Sequence, residues 1–391
     1  MRLSSIRRVL GASGVVLAVV IASLLACEAT ARLIYPPLRG LHWYHADPRY
    51  GMRHRSNLDK HVTEWGGGAY WHLRTNARGF RGDDWADMPA PGERRVLVAG
   101  DSFTFGNGVS DGNTFVEIAE RLIRRDDDGG NWQLVNLGTS AWGPQNALAY
   151  LETEGAPIRA SCLVYVFFLG NDVMDNVASH LYSLRDGRLE KNPIAPAAPS
   201  VLDDVKQVMR ALPVYDFLVD HSQLFNLVRV IFLRKMADLH AFAQIYADVP
   251  RDTYERALDL DDATLVRMAQ LARQRFGGFA IVLLPELAEL DRTPELHQAA
   301  ALLPVEFAEL ARQRVKRWAG ANAVPVLDLV DLLPHDPSAA RRLYFPRDFH
   351  TNAVGDRRIG ELLAQHLPRL CGPRQPSHQS AHSAGPSERL P

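Results

Sequence analysis

From residue 95 onward, short continuous apolar runs are interspersed with segments in which apolar residues recur at helical spacing. Five short apolar runs have the length and continuity of strands buried on both faces of a parallel sheet, at residues 95–100, 133–137, 161–168, 279–284 and 324–329. Helical spacing predicts amphipathic helices among them, at residues 114–125, 144–154, 304–318 and 354–367. This order predicts an α/β domain with three layers, α/β/α, around a five-stranded parallel sheet.

The beginning of the chain has a different pattern. Residues 9–27 contain no charged side chain, and Arg2, Arg7 and Arg8 precede them. At a rise of about 1.5 Å per residue, such a helix spans close to the ~30 Å hydrocarbon core of a bilayer. Basic residues remain on the cytoplasmic side of a membrane. We therefore expect a cytoplasmic segment (1–8), a single-pass transmembrane signal anchor (9–27) in the inner membrane, and an exported, periplasmic domain.

Two alternatives for this segment remain open. A cleaved signal peptide is the first, although the apolar run is long for one and no small-x-small cleavage pattern follows it. Lipidation of Cys27 is the second, although Leu25 fits such a site poorly. A core helix is disfavoured, because the segment is apolar on all sides and lies at the start of the sequence.

The rest of the chain divides by composition. Residues 35–93 show no clear periodicity and are predicted to be irregular, so residues 28–93 are expected to form a stalk or lead-in to the α/β domain at residues 94–370. Within that domain, residues 178–200 are loop-like, and residues 201–275 have the amphipathic pattern of a helical insertion. Pro, Ser, Gln and His dominate the tail, 371–391, which is predicted to be disordered.

Charge and cysteine content narrow the possible partners. The 391 residues carry a formal net charge of −1, without the basic footprint of nucleic-acid-binding proteins, so we expect no nucleic-acid partner. Three cysteines are too few and too scattered for a disulfide framework or a metal cluster, and Cys162 is predicted to be a buried apolar side chain. His378 and His382 are too sparse for a metal site. No bound metal is therefore expected.

Polar residues directly follow the first and third predicted strands. Ser102 stands in a Gly-Asp-Ser turn, where the glycine permits a tight bend and the next helix offers N–H groups to an oxyanion. Asn171 follows the third strand, and its side-chain amide can donate to the same point. Ligands of parallel sheets bind beyond the carboxyl ends of the strands, so both are candidate site residues. The structural alternatives are a turn with an Asp or Ser helix cap at the first motif and an Asx turn at Asn171.

A histidine precedes the last predicted helix. Serine is a poor nucleophile unless a neighbouring base takes its proton, and His350 is a candidate for that base. Asp348, two residues earlier, can reach round a short turn to fix the imidazole tautomer. A surface Asp/His loop is the alternative for an isolated pair. A fourth motif, the small residues that end the second strand at residues 136–143, would let the backbone approach a ligand. The four motifs occur in the order in which one edge of an α/β sheet would collect them.

These motifs resemble those of the SGNH (GDSL-like) hydrolase superfamily. Its first block is matched by residues 100–102 (Gly-Asp-Ser), its third by residues 170–172 (Gly-Asn-Asp) and its last by Asp348 with His350. The run 75–82 (TNARGFRG) is similar to the lead-in of exported, anchored members. The resemblance extends from about Ala99 to Leu367. It implies a flavodoxin-like fold and ester chemistry on acylated substrates, with no metal or cofactor.

The resemblance also implies a role for each matching residue. Ser102 would be the nucleophile, His350 its base and Asp348 the partner of the histidine. The oxyanion hole would consist of the Ser102 N–H, an N–H of the second block and the Asn171 side chain. The last block of the family usually places Asp three residues before His. Here the gap is two, which leaves the geometry of that pair open.

The second block departs from the family at one position. Its glycine falls on Ala141 in this sequence. A backbone N–H donates whatever the side chain, so donation from Ala141 survives if the turn does, with Gly138 or Gly143 as fallback donors.

Together these patterns favour a serine-dependent ester hydrolase or O-acyl (acetyl) transferase on an acylated envelope or secreted glycan. A lipid esterase or thioesterase is an alternative. So is a non-catalytic, tethered glycan-binding or assembly protein with the same fold. The sequence does not choose between water and a sugar hydroxyl as acceptor.

Three further features invite weaker interpretations. Glu286 and Glu289 follow the fourth strand and could be mistaken for an acid/base pair, but we expect solvated loop carboxylates. The aromatic, glycine-rich run from Trp65 to Trp71 could stack on sugar rings or pack the lead-in against the domain. The insertion, residues 201–275, is hypothesised to form a lid over the site.

Overall fold

A computed structural model describes residues 2–35, 38, 43–63, 70–126, 131–194, 213–236, 249–293, 304–346 and 350–372. The strands in these ranges are β1 (Tyr44–Asp47), β2 (Gly51–His54), β3 (Asp59–Thr63), β4 (Tyr70–Arg74), β5 (Arg94–Gly100), β6 (Trp132–Gly138), β7 (Cys162–Phe168), β8 (Tyr182–Arg185), β9 (Arg188–Lys191), β10 (Phe279–Leu284) and β11 (Val326–Asp328). The helices are α1 (Arg2–Ile34), α2 (Ser102–Phe105), α3 (Phe115–Asp126), α4 (Pro144–Glu152), α5 (Asp172–Ser179), α6 (Pro213–His221), α7 (Gln223–Met236), α8 (Arg251–Arg275), α9 (Leu287–Leu290), α10 (Val305–Ala321), α11 (Pro337–Arg341) and α12 (Ala353–Leu370).

Five of these strands form one parallel sheet, in the order β11-β10-β7-β5-β6. This is the 2-1-3-4-5 order of flavodoxin-like folds, and the predicted α/β class and five-stranded parallel sheet are confirmed. Gly100 and Gly138 are paired at the ends of β5 and β6, so the loops after these strands leave the same edge side by side.

The sheet is covered on both faces because alternate residues of each strand point to opposite sides. Leu97 and Ala99 of β5 belong to one buried cluster, together with α4, α8 and α10. Val96 and Val98 belong to the other, together with α3 and α12. The described chain therefore has the three predicted layers.

The segment predicted as a helical insertion, 201–275, divides into parts with different roles. Its last part is α8, whose Leu258, Leu265 and Met268 are buried in the core under the sheet. α8 leads directly into β10, so it is a covering helix of the sheet and not part of an insertion. The loop predicted at residues 178–200 contains the β8–β9 hairpin instead.

Residues 35–93 were predicted to be irregular, and this prediction is wrong for the described part. β1 pairs with β2, and β3 with β4, as two antiparallel hairpins. Trp43, Val62, Trp71 and Leu73 form a buried cluster around Phe105 of α2. We call the described residues 43–63 and 70–85 the lead-in layer. Because this layer covers the helix that begins at Ser102, it is part of the folded domain and not a stalk.

The N-terminal helix α1 extends past the predicted anchor at residues 9–27 and ends at Ile34. Its stretch Ser13–Ile34 is long and apolar enough to cross a membrane, with a mean hydropathy of 2.2. Apolar side chains are exposed along it, including those of Val15, Leu17, Val20, Ile21 and Leu25.

Cys162 and Cys371 form a disulfide between the start of β7 and the residue after α12. Cys162 is buried, as predicted, but it is joined to Cys371 and is not the free apolar side chain that the sequence suggested. The pairing of two residues 209 positions apart depends on a tertiary fold that brings them together. Cys371 therefore belongs to the domain, whereas residues 373–391 of the predicted disordered tail lie outside the described residues.

Candidate active site

The nucleophile candidate lies in a turn that requires a glycine. A Cβ on Gly100 would collide with the side chain of Thr104, so only glycine lets the chain bend this tightly into α2. Asp101 caps α2, with its Oδ1 accepting a 2.9 Å hydrogen bond from the Phe103 N–H. The helix cap is therefore Asp101 and not Ser102, so the cap leaves the Ser102 hydroxyl available for a catalytic role.

The structure brings Ser102 and His350 together across 248 residues of sequence. The Nε2 atom of His350 lies 2.7 Å from the Oγ atom of Ser102, within hydrogen-bonding distance, and both residues are buried. The carbonyl of His350 accepts a 3.0 Å hydrogen bond from the Phe345 N–H. Asn352 caps α12 through its Oδ1, which fixes where the helix starts after the histidine. Asp348, the expected partner of the imidazole, lies outside the described residues.

Residues 139–142 of the second block form a β-turn. The Trp142 N–H donates a 3.1 Å hydrogen bond to the Thr139 carbonyl, which places Ala141 third in a β-turn. Ala141 has a φ of 59°, in the left-handed region that favours glycine. This explains why a glycine is usual at the position, and the alanine tolerates the same geometry at a modest cost.

The N–H groups of the two alternative donors, Gly138 and Gly143, already have hydrogen-bond acceptors within the protein. The Gly138 N–H donates to Asn136 Oδ1 at 2.8 Å, and the Gly143 N–H donates to Asn146 Oδ1 at 3.0 Å. The N–H of Ala141 has no acceptor within the described ranges of the chain. Among the three, Ala141 is the donor left for a ligand.

Asn171 stands at the N-cap of α5 without capping it through its side chain. Its backbone carbonyl accepts from the Met174 and Asp175 N–H groups, while its buried Oδ1 atom has no partner among the described residues. The structural alternative, an Asx turn, would need this oxygen as a hydrogen-bond acceptor, so the turn is not formed. The Asn171 side-chain amide is therefore available for a ligand at this edge.

Two carboxyl groups are buried beneath the site. Burial raises the pKa of Asp101 to about 7, against the opposing effect of His350 and of the Phe103 N–H. Burial also raises the pKa of Asp172, with the nearby Asp101 adding to the effect. Asp172 accepts from the Tyr165 hydroxyl at 3.0 Å, so it fixes the start of α5 from below.

The lead-in layer reaches the second block through a histidine that the sequence analysis did not single out. His54 Nε2 lies 3.1 Å from Ser140 Oγ, and Ser140 Oγ donates to Asn107 Oδ1 at 3.2 Å. The Asn107 N–H in turn donates to the Ser102 carbonyl at 3.0 Å. This chain of contacts links the lead-in to both the nucleophile turn and the Ala141 turn. A lone histidine in an irregular segment gives no sequence signal for such a role.

His54 is held in an apolar environment. Its ring stacks on Phe105 at 3.6 Å and on Trp43 at 5.3 Å between centroids. Burial lowers the pKa of His54 well below its usual value, and the positive charges of Arg81 and Arg53 lower it further. His54 is therefore a neutral hydrogen-bonding group.

The run at residues 75–82 builds the link between the lead-in and the sheet. Asn76 Oδ1 accepts from the Arg78 and Phe80 N–H groups at 2.9 and 3.1 Å, closing a tight turn. Gly79 occupies that turn with a φ of 81°, and a Cβ there would lie 2.5 Å from the His54 carbonyl oxygen. Arg81 is fully buried and donates twice to the Val109 carbonyl at 3.2 Å. The motif therefore fixes the position of His54.

Glu286 and Glu289 were expected to be solvated, and this expectation is wrong. Both are buried, and Glu289 accepts a 2.9 Å hydrogen bond from the Glu286 N–H at the start of α9. Burial raises the pKa of Glu289 to about 8. Their arrangement is that of a helix cap.

The aromatic, glycine-rich run is only partly described, because residues 64–69, including Trp65, lie outside the described residues. Trp71 is buried against Trp43 and Phe105, so it packs the lead-in against the domain and offers no surface to a sugar. Tyr70 is half-exposed. In the described part of the chain, no group of three or more His, Cys, Asp and Glu side chains could hold a metal ion.

Comparisons with known proteins find similarity at the level of solved structures. No protein-family model matches the chain, and no curated protein matches it. A lipolytic protein of the G-D-S-L family from Desulfitobacterium hafniense is 13% identical, with a TM-score of 0.36, covering 69% of this chain and 98% of its own. A lipase from a goat rumen metagenome is 12% identical, with a TM-score of 0.40, covering 72% and 98%.

An acetyl xylan esterase variant from Geobacillus stearothermophilus is 13% identical, with a TM-score of 0.39, covering 74% of this chain and 99% of its own. The structures similar to this chain thus include lipolytic proteins of the G-D-S-L type and acetyl xylan esterases. At such identities and TM-scores the similarity is too distant to assign an activity.

Proposed function

We propose that this chain is a membrane-anchored serine esterase in which Ser102 is the nucleophile and His350 its general base. The observation that carries the proposal is the 2.7 Å contact between Ser102 Oγ and His350 Nε2. A serine whose hydroxyl meets an imidazole at this distance, at the carboxyl edge of a parallel sheet, has the arrangement of an activated nucleophile.

The mechanism follows from these two groups. His350 Nε2 takes the Ser102 proton while Oγ attacks the ester carbonyl carbon and a tetrahedral oxyanion forms. The imidazolium then returns the proton to the leaving alkoxide, the C–O bond breaks, and the acyl group remains on Ser102. Water or a sugar hydroxyl loses its proton to His350 as it attacks the acyl-enzyme, and Ser102 is released with that proton. Asp348 would hold the imidazole in the required tautomer.

Three donors would stabilise the oxyanion. These are the N–H of Ser102 at the start of α2, the N–H of Ala141 and the side-chain amide of Asn171. Within the described residues, the Ala141 N–H has no acceptor and the Asn171 side chain makes no helix-capping hydrogen bond, and both observations support this set. Replacing Asn171 by alanine should lower kcat about 10²- to 10³-fold, in the range of other oxyanion-hole deletions.

Active-site labelling tests the nucleophile directly. A fluorophosphonate probe should label the full chain, and peptide mapping should find the label on Ser102. Ser102→Ala should remove both labelling and the hydrolysis of an activated acetyl ester, whereas Ser338→Ala, at an α11 residue, should keep both. Equal hydrolysis by wild type and Ser102→Ala would support the rival, a non-catalytic glycan-binding or assembly protein.

We further propose that α1 anchors the protein in the inner membrane with the catalytic domain on the periplasmic side. Two observations support this: the apolar, exposed stretch Ser13–Ile34 and the Cys162–Cys371 disulfide, since disulfides persist in oxidising compartments. A maleimide added to unreduced, denatured protein from acid-quenched cells should then react only with Cys27. Labelling of Cys162 and Cys371 without reductant would contradict the periplasmic assignment.

The substrate we propose is an O-acylated glycan of the envelope or a secreted polysaccharide, because an anchored enzyme meets substrates near the membrane or wall. Acceptor choice can be measured on the acyl-enzyme. Trapped acyl-enzyme is challenged with acceptor oligosaccharides in water, and mass spectrometry shows which acceptor receives the acyl group. Acylated oligosaccharide would identify a transferase, and free acid alone a hydrolase.

A further inference from the structure

The helices α6 and α7 are attached to the end of the N-terminal helix by a concentrated set of hydrogen bonds. The Glu28 carboxylate accepts from the Ser222 hydroxyl at 2.8 Å and from the Gln223 and Leu224 N–H groups at 2.8 and 2.9 Å. It therefore caps α7 from another helix. Arg32 donates to the His221 carbonyl at 2.7 Å. The last residue of α6 and the first residue of α7 are therefore both hydrogen-bonded to α1.

The point of attachment lies where α1 stops being apolar. Residues 9–27 are uncharged, and Glu28 is the first acidic residue after them. Nineteen helical residues correspond to about 28 Å, close to the thickness of a hydrocarbon core. With the uncharged run 9–27 in the hydrocarbon core, Glu28 and the remaining residues of α1, up to Ile34, lie at the level of the membrane surface, and α6 and α7 are at that level with them.

Each of the two helices presents a pair of exposed apolar side chains three residues apart, which is the spacing of one helix face. On α6 these are Val214 and Phe217, with 51% and 60% of their surface exposed. On α7 they are Val228 and Ile231, with 57% and 49% exposed. Exposed apolar residues of this size, grouped beside a membrane helix, indicate contact with lipid.

Other residues of α6 and α7 bind the rest of the protein. Asn226 is buried and donates at 2.7 Å to the carbonyls of Leu38 and Val219. Asp220 forms a 3.0 Å ion pair with Lys60 of β3. α6 and α7 are thus joined to the lead-in layer as well as to α1, so a contact between them and a bilayer would orient the whole domain.

We propose that α6 and α7 form a docking surface for the phospholipid bilayer, with Val214, Phe217, Val228 and Ile231 inserted in its interface. This surface sets the orientation of the catalytic domain relative to the membrane. The inference rests on the proposed anchoring of α1. It assigns α6 and α7 a role at the membrane, in place of the lid hypothesised for this part of the chain.

Spin labelling tests the docking surface in the full chain reconstituted in phospholipid vesicles. Single cysteines are introduced in a Cys27→Ser background as Phe217→Cys, Ile231→Cys, Val20→Cys and Met88→Cys, and each is labelled with a nitroxide. Met88 is the matched control, because it is an apolar residue of the main domain with 63% of its surface exposed. Collision with O₂ and with a water-soluble nickel complex then reports depth at each site.

The expected result is preferential O₂ collision at positions 217 and 231, at shallow depth, with position 20 deep and position 88 in water. Labels at 217 and 231 as water-accessible as the label at 88, with position 20 in lipid, would overturn the docking surface alone. A label at position 20 in water would instead overturn the anchoring proposal. The two failures are therefore distinguishable.

Discussion

The lead-in layer and the α6–α7 pair are both additions to the same sheet, and they use their apolar residues in opposite ways. The lead-in buries Trp43 and Trp71 against Phe105, on the helix that begins at Ser102. The α6–α7 pair leaves Phe217 and Ile231 exposed and makes its hydrogen bonds with the end of α1. One addition therefore contacts the candidate site, and the other, in our proposal, contributes to the attachment to the membrane.

This comparison teaches that the contacts of an added segment, and not its position in sequence, indicate its role. The lead-in lies between the anchor and the domain, where a stalk would be expected. His54 nevertheless reaches Ser140 and, through Asn107, the Ser102 backbone. Changes in the lead-in should therefore alter chemistry, and changes in α6–α7 should not.

The largest expected effect comes from two glycines of the lead-in with the same backbone conformation. Gly79 and Gly82 have φ values of 81° and 85°, so alanine is strained at both, by about 1–2 kcal/mol. At Gly79 the new Cβ would also lie 2.5 Å from the His54 carbonyl, whereas at Gly82 nothing lies within 4 Å. Gly79→Ala should lower the free energy of unfolding by about 3 kcal/mol or more. Equal losses in denaturant titrations of both variants would contradict the close packing of this turn.

The second effect concerns catalysis. His54→Ala removes the side chain that holds Ser140, and we expect kcat on a soluble acetyl ester to fall about 10- to 100-fold with little change in KM. His61→Ala is the matched control, because His61 is an exposed histidine of the same layer. His54→Gln, which keeps a hydrogen-bonding group, should recover part of the loss. Unchanged kcat in His54→Ala would show that the lead-in only covers the site.

The third effect is a pH dependence of stability. Burial depresses the pKa of His54 in the folded protein, so protonation below about pH 6.5 favours the unfolded chain. The stabilisation is present above that pH and is lost as the pH falls. Between pH 7 and pH 5, wild type should lose about 2 kcal/mol more unfolding free energy than His54→Gln. Parallel curves for the two proteins would mean that His54 accepts a proton in the folded state.

The smallest effect is expected from the other addition. The double variant Phe217→Ser, Ile231→Ser should hydrolyse a soluble acetyl ester within about twofold of wild type, because exposed substitutions away from the site rarely cost more than about 0.5 kcal/mol. A tenfold loss with the soluble ester would show that α6–α7 acts on the active site after all, as a lid would.

Most of the sheet could be predicted because its strands are continuous apolar runs. The strand predicted at residues 279–284 matches β10 without a shift, since both of its faces are buried. The short lead-in strands were missed, because β1 and β2 have four residues each and leave mostly exposed or half-buried side chains. Their pairing is stabilised by packing on Phe105, which no local pattern encodes.

The residues of the candidate site also fall into those that the sequence predicts and those that only the fold reveals. Ser102, Asn171 and His350 could be found because each stands at the end of a predictable element, in the order that one sheet edge requires. The proposed donor role of Ala141 depends on a turn with positive φ, which an alanine does not signal in sequence. His54, the burial of Glu286 and the Cys162–Cys371 bond depend on residues far apart in the chain, so only the fold reveals them.

The Cys162–Cys371 bond has a consequence for how an exported chain matures. Cys371 emerges 209 residues after its partner, so oxidation can fasten α12 only when nearly all of the sheet has been translocated. His350 directly precedes that helix. If the chain is exported as we propose, it acquires this disulfide next to His350 last, after Ser102 has already been translocated.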